Sequence, residues 1–229
     1  LLKLERNFGK NKIFVGYQFR YNPALKLLKK ILKDKVVGNL VSARLINGEY
    51  MPGWHPYEDY RNSYAARKDL GGGALVTQIH DFDYATWLFG YPSSVFAVGG
   101  KLSDLEIDVE DSVQVLMKCK EYPVSIQLDY LQWPPKREIF ITGDKGSIEC
   151  NLSSMEIKVN QRESQNVRKY EFKKFNRNDL FLNEMRDFIE FVNGDKNPLV
   201  SLKDGASSLR LALAAKESMK TGAVMPVYL

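Results

Sequence analysis

The strongest constraint on the fold is a pair of alternating segments near the middle of the chain. Residues 112–119 (SVQVLMKC) and 124–133 (VSIQLDYLQW) are joined through the short polar connection KEYP. In the second segment Val124, Ile126 and Leu128 fall on one face and polar residues fall between them. This is the period of a half-buried strand. Two such segments around a short connection predict a β-hairpin.

Further strands are predicted on both sides of this hairpin. Residues 137–150 predict a second hairpin, turned by GDKG. Single strands are predicted at 12–17, 39–50, 93–101, 155–160, 167–172 and 223–229. Because short turns link most neighbouring strands, the pairing is expected to be mainly antiparallel. We therefore expect an α+β fold with a large, open, mainly antiparallel (mixed) sheet and helices on one face.

Helical patterns separate the strands. They are predicted at 1–8, 22–34, 74–89, 178–194 and 201–222. In the second of these, Asn22 is a suitable capping residue and Pro23 suits the first turn. The fourth is strongly amphipathic, with Asn178 and Gly194 as its expected caps. Residues 51–70 fit neither period and predict a long ordered loop with short helical turns, a kind of segment that is often functional.

Size and composition indicate one substantial domain. The chain has 229 residues, 44% of them hydrophobic, which is enough to bury a real core. We expect a single domain over 1–229. The chain opens on Leu1 in what resembles the tail of a helix, so residues 1–11 are interpreted as the remnant of a connection to a preceding domain.

Charge and cysteine content restrict the class of partner. The net charge of +5 is scattered, and the densest run, 26–35, fits a solvated helix face better than a nucleic-acid patch. Cys119 and Cys150 lack metal-ligand spacing and are interpreted as buried thiols of a reducing compartment. No apolar run approaches the roughly 18 residues of a membrane span. The sequence therefore predicts a cytoplasmic protein that binds neither nucleic acid nor membrane.

The segment LGGGALVTQIHDFDYATWLFG (70–90) carries the main candidate for chemistry. An imidazole titrates near neutral pH, so His80 is able to exchange a proton with a carbonyl or hydroxyl group. A core histidine bonded to backbone is the alternative. The glycine run either lets a loop approach a ligand or other backbone, or forms a tight loop before the helix. His55 is interpreted as an exposed loop residue, and no spacing predicts a metal site.

Five segments together resemble the C-terminal domain of the Gfo/Idh/MocA oxidoreductases. They occur in the family's order, and the resemblance as a whole extends over essentially all 229 residues: VGYQFRYNPALKLLKKI, VVGNLVSARL, GGGALVTQIHDFDYATWLFG, DVEDSVQVLMK and REIFITGDKGSIEC. The resemblance implies the substrate-binding part of an NAD(P)-dependent oxidoreductase that acts on a sugar, a sugar nucleotide or a polyol. It also implies a homo-oligomer, a dimer or tetramer, assembled through the open sheet face.

The same resemblance implies that a Rossmann domain precedes this one. That domain would bind NAD or NADP and carry the catalytic lysine of an E-K-P motif. This chain contains neither that motif nor G-x-G-x-x-G, so its cofactor-binding residues are unknown and we expect the fragment alone to be inactive or nearly so.

Site residues follow from the resemblance position by position. His80 matches the histidine that assists proton transfer at the substrate hydroxyl. The expected substrate-binding residues are Arg20, Tyr64, Arg67, Gly72, Gly73 and Thr77. One departure concerns the aspartate that many members place three or four residues before the histidine, where this chain has Val76 and Thr77. Without that carboxylate the imidazole is less firmly oriented.

Two rival functions come from other classes. A non-catalytic interaction or oligomerisation module would use the open sheet face and would begin at its own Met. A basic nucleic-acid binder would bind with a steep salt dependence. The sequence specifies neither the sugar, nor the carbon that reacts, nor NAD versus NADP.

Overall fold

The computed structural model describes Leu2 and residues 13–228 of the chain. The predicted helix at 1–8 and the connection at 1–11 lie, apart from Leu2, outside the described residues.

Nine strands of the described chain form one open sheet. They are β1 (Leu40–Gly48), β2 (Ser94–Gly100), β3 (Ser112–Cys119), β4 (Tyr122–Asp129), β5 (Lys136–Gly143), β6 (Gly146–Asn151), β7 (Glu156–Gln161), β8 (Asn166–Glu171) and β9 (Met225–Pro226). The spatial order is β8-β7-β6-β5-β1-β4-β3-β2-β9. The β1–β4 pair is parallel and the other pairs are antiparallel. The predicted α+β class with a large mixed sheet is confirmed.

Both predicted hairpins form. β3 and β4 pair from Ser112↔Asp129 to Cys119↔Tyr122. Lys120 follows β3 directly and takes a left-handed φ of 53°, as the turns that match the twist of paired strands require. The β5–β6 hairpin closes at Gly143↔Gly146 around the predicted GDKG turn.

The helices of the described chain are α1 (Pro23–Lys33), α2 (Ala74–Thr77), α3 (His80–Phe89), α4 (Asn178–Asn193) and α5 (Leu202–Thr221). The predicted cap of α1 is confirmed, because Asn22 Oδ1 accepts hydrogen bonds from the backbone N–H groups of Ala24 and Leu25 at 2.9 and 3.2 Å. The predicted helix 74–89 is divided between α2 and α3, and His80 opens the second part. Asn178 does not cap α4; it is the first helical residue.

The predicted strand at 12–17 is wrong. Its described residues form an irregular segment that leads into a short 3-10 helix at Gln18–Tyr21. The segment packs on helices: the Phe14 and Phe188 ring centroids are 5.5 Å apart, and a Cβ at Gly205 would lie 2.9 Å from Val15. An apolar run that is buried against helices has the same sequence pattern as a buried strand, since burial sets both.

Helix α4 turns much of its apolar surface to solvent. The exposed fractions of Met185 and Ile189 are 56% and 51%, whereas Asp187 is only 5% exposed. Asp187 is held inside by the Tyr21 hydroxyl, which donates to it at 2.5 Å, and by Lys196 Nζ at 2.8 Å. An apolar stripe of this kind on a soluble domain usually marks a contact surface.

The two faces of the sheet differ in the same way. Side chains such as Leu45, Val115 and Ile126 are fully buried beneath the helices. On the opposite face Leu116 is 50% exposed, and the Arg44 guanidinium lies 4.8 Å from the centroid of the Phe140 ring. Strand alternation therefore produces one core face and one open face.

Other expectations from composition can be compared with the described residues. Cys119 and Cys150 are both buried and free, and burial raises the pKa of the Cys119 thiol to about 11. Among the described helices, none combines the length and apolarity that crossing a bilayer requires.

Candidate functional site

Polar residues meet at the edge where the parallel strands β1 and β4 end. Gly48 of β1 lies beside Asp129 of β4, because the carboxyl ends of parallel strands share one edge of the sheet. Helix α3 begins at the same place. The Asn47 side-chain amide of β1 donates to Asp81 Oδ2 at 2.7 Å. The edge thus brings strand ends and the predicted catalytic segment together.

His80 lies between two aromatic rings at the start of α3. Its ring centroid is 5.5 Å from that of Tyr17 and 5.4 Å from that of Phe19. Burial lowers the pKa of His80 to about 4, and the nearby positive charge of Arg137 acts in the same direction. Its Nδ1 is buried and has no hydrogen-bond partner among the described residues. At neutral pH, His80 is therefore an uncharged imidazole with one unused ring nitrogen.

The neighbouring carboxylate, Asp81, is completely buried. It accepts hydrogen bonds from the Asn47 amide and from the Tyr84 hydroxyl, and Arg137 Nη2 lies 3.6 Å from Asp81 Oδ2. Burial raises the pKa of Asp81 to about 6, and the charge of Arg137 and the Asn47 hydrogen bond limit that rise. This acid changes charge just below neutral pH.

Arg137 connects the His80 environment with a neighbouring cavity. Its guanidinium carbon lies 4.4 Å from the centroid of the Phe19 ring, the ring that also contacts His80. Arg137 Nε is buried and has no acceptor among the described residues. This N–H group is therefore free to donate a hydrogen bond to an anionic or carbonyl oxygen.

Two residues just before His80 add further unused polar atoms. The Gln78 side-chain amide donates to the Asp129 carbonyl at 3.1 Å, but Gln78 Oε1 is buried without a partner in the described chain. The same is true of Thr77 Oγ1. Buried polar atoms are nearly always satisfied in folded proteins. A concentration of unsatisfied ones around His80 is typical of a place that takes up ligand hydroxyls.

The predicted residue Arg20 is fully engaged inside the domain. Its Nε and Nη2 donate to the two carboxylate oxygens of Asp83 at 2.9 and 2.7 Å. Nη2 also lies 3.4 Å from Asp204, and the guanidinium carbon is 5.2 Å from the Trp87 ring centroid. These contacts tie the Gln18–Tyr21 turn to α3 and α5. A direct contact of Arg20 with substrate stays a prediction.

Tyr64 and Arg67 lie on the excursion 51–70, which consists of short 3-10 turns as predicted. Tyr64 is 58% exposed. Arg67 is also exposed, and its Nη2 pairs with Asp69 Oδ2 at 2.6 Å. The structure does not bring these two side chains into contact with His80. Their role toward a substrate stays a prediction.

Gly72 and Gly73 pack against the chain itself. A Cβ at Gly72 would lie 2.4 Å from the Tyr64 carbonyl oxygen, and one at Gly73, where φ is 110°, would lie 2.3 Å from a Glu110 carboxylate oxygen. The Gly73 N–H donates to the Ala65 carbonyl at 3.0 Å. Of the two interpretations of the glycine run, close approach to other backbone is the one observed.

His55 is exposed, as predicted, and its Nδ1 lies 3.0 Å from the Tyr57 hydroxyl. Within the described part of the chain, no three His, Cys, Asp or Glu side chains are grouped so that they could hold a metal ion.

Sequence reasoning missed several residues of this edge. Asn47, Asp129 and Arg137 were assigned only to strands, and Trp54 only to a loop. Trp54 packs edge-on against Tyr130 at 5.2 Å between ring centroids, and its Nε1 is buried without a partner in the described chain. A usable signal was a polar residue at the end of each of two apolar strands, but it identifies a site only once β1 and β4 are known to be parallel neighbours.

Comparisons with known proteins define the class of this fold and site. The family model for the GFO/IDH/MocA C-terminal domain matches residues 25–149, more than half of the chain. The chain belongs to this family.

Individual relatives can then be named. The chain is 29% identical to a myo-inositol 2-dehydrogenase of Thermotoga maritima over 216 residues, which are 91% of this chain and 62% of that protein. It is 25% identical to an inositol 2-dehydrogenase of Rhizobium meliloti over 92% of this chain and 63% of that protein. The chain thus spans about three-fifths of the length of these curated relatives.

Solved structures share the fold. The levoglucosan dehydrogenase structure with NADH and levoglucosan has a TM-score of 0.82 and 20% identity, covering 94% of this chain and 66% of that one. The WlbA dehydrogenase from Bordetella pertussis, in complex with NADH and UDP-GlcNAcA, has a TM-score of 0.77 and 23% identity, covering 100% of this chain and 67% of that one.

Proposed function

We propose that this chain is the substrate-binding part of an NAD(P)-dependent oxidoreductase that acts on a sugar, a sugar nucleotide or a polyol. The observation that carries the proposal is the concentration of unsatisfied buried polar atoms on Thr77, Gln78 and His80, together with Arg137 Nε, at one edge of a fold of this family. Each hydroxyl group of a polyhydroxylated substrate both donates and accepts hydrogen bonds, so several neighbouring hydroxyls are able to satisfy these atoms together. The dehydrogenases among the relatives and structural neighbours support the same class.

In the proposed reaction, His80 receives a hydrogen bond from a substrate hydroxyl or donates one to it. Its pKa of about 4 makes it a neutral orienting group at pH 7 rather than a strong base, so the main acid or base is assigned to a lysine of a preceding domain. Asp81 does not contact the substrate in this scheme. It holds Arg137 and Asn47 in place and is a positioning residue.

The nicotinamide cofactor, when bound, accepts or supplies the hydride. Within the described part of the chain, the glycine run 71–73 does not offer a cradle for its dinucleotide, because the Tyr64 carbonyl and the Glu110 carboxylate lie against it. We therefore assign the cofactor site to the preceding domain. The exposed apolar stripe of α4, next to Phe14, is a suitable surface for that domain to cover.

The test is hydride transfer by the complete polypeptide, expressed from its whole coding region, with NAD⁺ or NADP⁺ and a panel of polyols and sugars. His80→Ala is expected to lower kcat by on the order of 10², the contribution of a proton-transfer or orienting group, with an unchanged circular dichroism spectrum. His55→Ala, on the exposed loop, is the matched control. Full turnover in His80→Ala would return His80 to the role of a core histidine.

We also propose that the protein is a cytoplasmic homo-oligomer assembled through the open sheet face. Half-exposed Leu116 and the Arg44–Phe140 stack give this face an apolar centre with a polar surround. Leu116→Glu is expected to reduce the mass measured by light scattering to that of the monomer. Leu102→Glu, at an exposed loop residue, should leave the mass unchanged. A monomeric wild type at high concentration would refute this assembly.

A further inference from the structure

A cavity of about 320 Å³ opens beside the His80 site. Strand ends at Gly48–Glu49 and 135–137 form one wall, and apolar side chains including Met155 and Leu180 form the other. Phe19 separates this cavity from the His80 imidazole, with 5.4 Å between ring centroids. The volume is at the lower end of the roughly 300–1,000 Å³ range of small-molecule sites. The cavity is therefore large enough for part of a sugar.

The charge of this lining is one-sided. Lys136, Arg137 and Arg177 contribute cations, and Glu49 is the one acidic side chain in the lining. Within residues 13–228, neither Lys136 nor Arg177 forms an ion pair with a carboxylate. Arg61 is a contrasting example on the surface, because it pairs with Asp59 and with Glu106. Lys136 and Arg177 are exposed, but both line the same cavity.

Arg137 makes the wall of this cavity specific for an oxygen anion. Its Nη2 faces Asp81 at 3.6 Å, which leaves the pair longer than a charge-assisted hydrogen bond of about 2.7–2.9 Å. Its Nε has no acceptor in the described chain although it is buried. A carboxylate or phosphate oxygen in the cavity would satisfy this N–H group, and the guanidinium fork is suited to such anions.

We propose that the cavity lined by Lys136, Arg137 and Arg177 binds an anionic group of the substrate, either a carboxylate or a phosphate, while the reacting hydroxyl lies at His80. This inference rests on the proposed function and narrows its substrate class to acidic sugars or polyols. A hydroxyl oxygen of a neutral polyol would also accept from the Arg137 Nε–H, but without the charge-assisted strength of an anion and without attraction to the two unpaired cations.

The test measures binding to the complete polypeptide by isothermal titration calorimetry at low and high salt. The probes are D-glucuronate for the carboxylate, D-glucose 6-phosphate for the phosphate, and myo-inositol as the neutral polyol. We expect one of the anions to bind at least tenfold more tightly than myo-inositol, with an affinity that falls as salt screens the charges. Which anion binds distinguishes the two sources of charge.

The double variant Lys136→Met/Arg177→Gln carries the second part of the test. It is expected to raise the Kd of the preferred anion by about tenfold or more, the loss of one charge-assisted hydrogen bond, without changing the Kd of myo-inositol. Lys33→Met/Arg162→Gln removes the same charges at exposed positions outside the cavity and should have no effect.

Two results would overturn the inference: neither anion binds more tightly than myo-inositol, or the preferred anion binds the cavity variant and the control variant equally. Hydride transfer to a neutral polyol that persists in either case would preserve the proposed function and refute only its narrowing. Loss of all hydride transfer in the wild type would instead refute the proposed function.

Discussion

Two buried aspartates lie only two residues apart on one helix, and each lies near an arginine, but the two ion pairs differ in how closely the charged groups approach. Asp83 receives both donors of Arg20 at 2.7 and 2.9 Å. Asp81 has Arg137 at 3.6 Å and relies on Asn47 and Tyr84 instead. The first pair is saturated, in the sense that Arg20 occupies both carboxylate oxygens of Asp83, and it holds the turn to the helix. The second leaves an arginine N–H unused beside a cavity, so it retains the capacity to bind.

Breaking the saturated pair should have the largest effect. Arg20→Met leaves Asp83 buried without its cation, which typically costs about 3–5 kcal/mol of unfolding free energy. It also removes the packing of the guanidinium against Trp87. Urea denaturation at pH 7 measures this loss. A loss no larger than that of Arg137→Met would contradict the distinction between the two pairs.

The pH dependence of stability sharpens the contrast around Asp81 and His80. In the folded protein the pKa of His80 is depressed to about 4. The stabilisation of the fold that follows from this shift is present above the pKa of the unfolded state and is lost as pH falls through 4. In the folded protein the pKa of Asp81 is raised to about 6. The stabilisation of the fold that follows from this shift is present below the pKa of the unfolded state and is lost as pH rises through 6. Over this shared window the two contributions oppose each other.

His80→Gln separates these two contributions. The unfolding free energy of the wild type relative to His80→Gln is expected to fall by about 3 kcal/mol from pH 7 to pH 4. The reason is that the exposed imidazole of the unfolded wild type takes up a proton that the buried imidazole resists, which favours unfolding. Urea denaturation of both proteins across this pH range tests it. A difference that does not change with pH would contradict the depressed pKa of His80.

Breaking the loose pair should cost less. In Arg137→Met, the pKa of Asp81 rises further and the acid becomes neutral at pH 7. Because that pKa is already about 6, protonation costs only about 1 kcal/mol. Denaturation at pH 7 and at pH 5 should show the loss at pH 7 and less of it at pH 5. A loss that stays the same at both values would show that Arg137 acts through packing instead.

The smallest effect is expected at the exposed pair of Arg67 with Asp69. Solvent screens such a pair, so its removal is expected to change stability very little. Arg67→Met is therefore expected to unfold at nearly the wild-type urea concentration. If it nevertheless raises KM in the complete polypeptide, the predicted substrate role of Arg67 is supported. An unchanged KM would remove Arg67 from the site.

Sequence patterns predicted secondary structure correctly where the interaction that forms it joins residues close together along the chain. The cap of α1 was predictable because Asn22 satisfies N–H groups only two and three residues away. The hairpins were predictable because alternation and turn residues act over short distances. The irregular segment at 13–17 was not, since an apolar run reports burial without reporting whether its neighbour is a strand or a helix.

The residues of the candidate site also divide into those that a local pattern predicts and those that depend on tertiary packing. His80 is predicted from a local motif that resembles the family's, and its catalytic role stays a prediction. Arg137 and Asn47 were missed because their contacts with Asp81 depend on the pairing of β1 with β5. They also depend on the position of α3 against these two strands. The outward stripe of α4 was also not predictable, because periodicity gives an apolar face without stating what covers it.

The α+β class, the hairpins, the N-terminal cap of α1 and the family were predictable from sequence, because each follows from residues close together along the chain or from motifs in a fixed order. Tertiary packing is what makes the Arg20–Asp83 pair saturated and leaves Arg137 Nε without an acceptor in the described chain. The two arginines have the same chemistry and lie near the same helix, but they differ in burial and in the distance and number of acceptors that residues far apart in sequence bring to them. Such distances are set by how strands and helices pack, which no local pattern encodes.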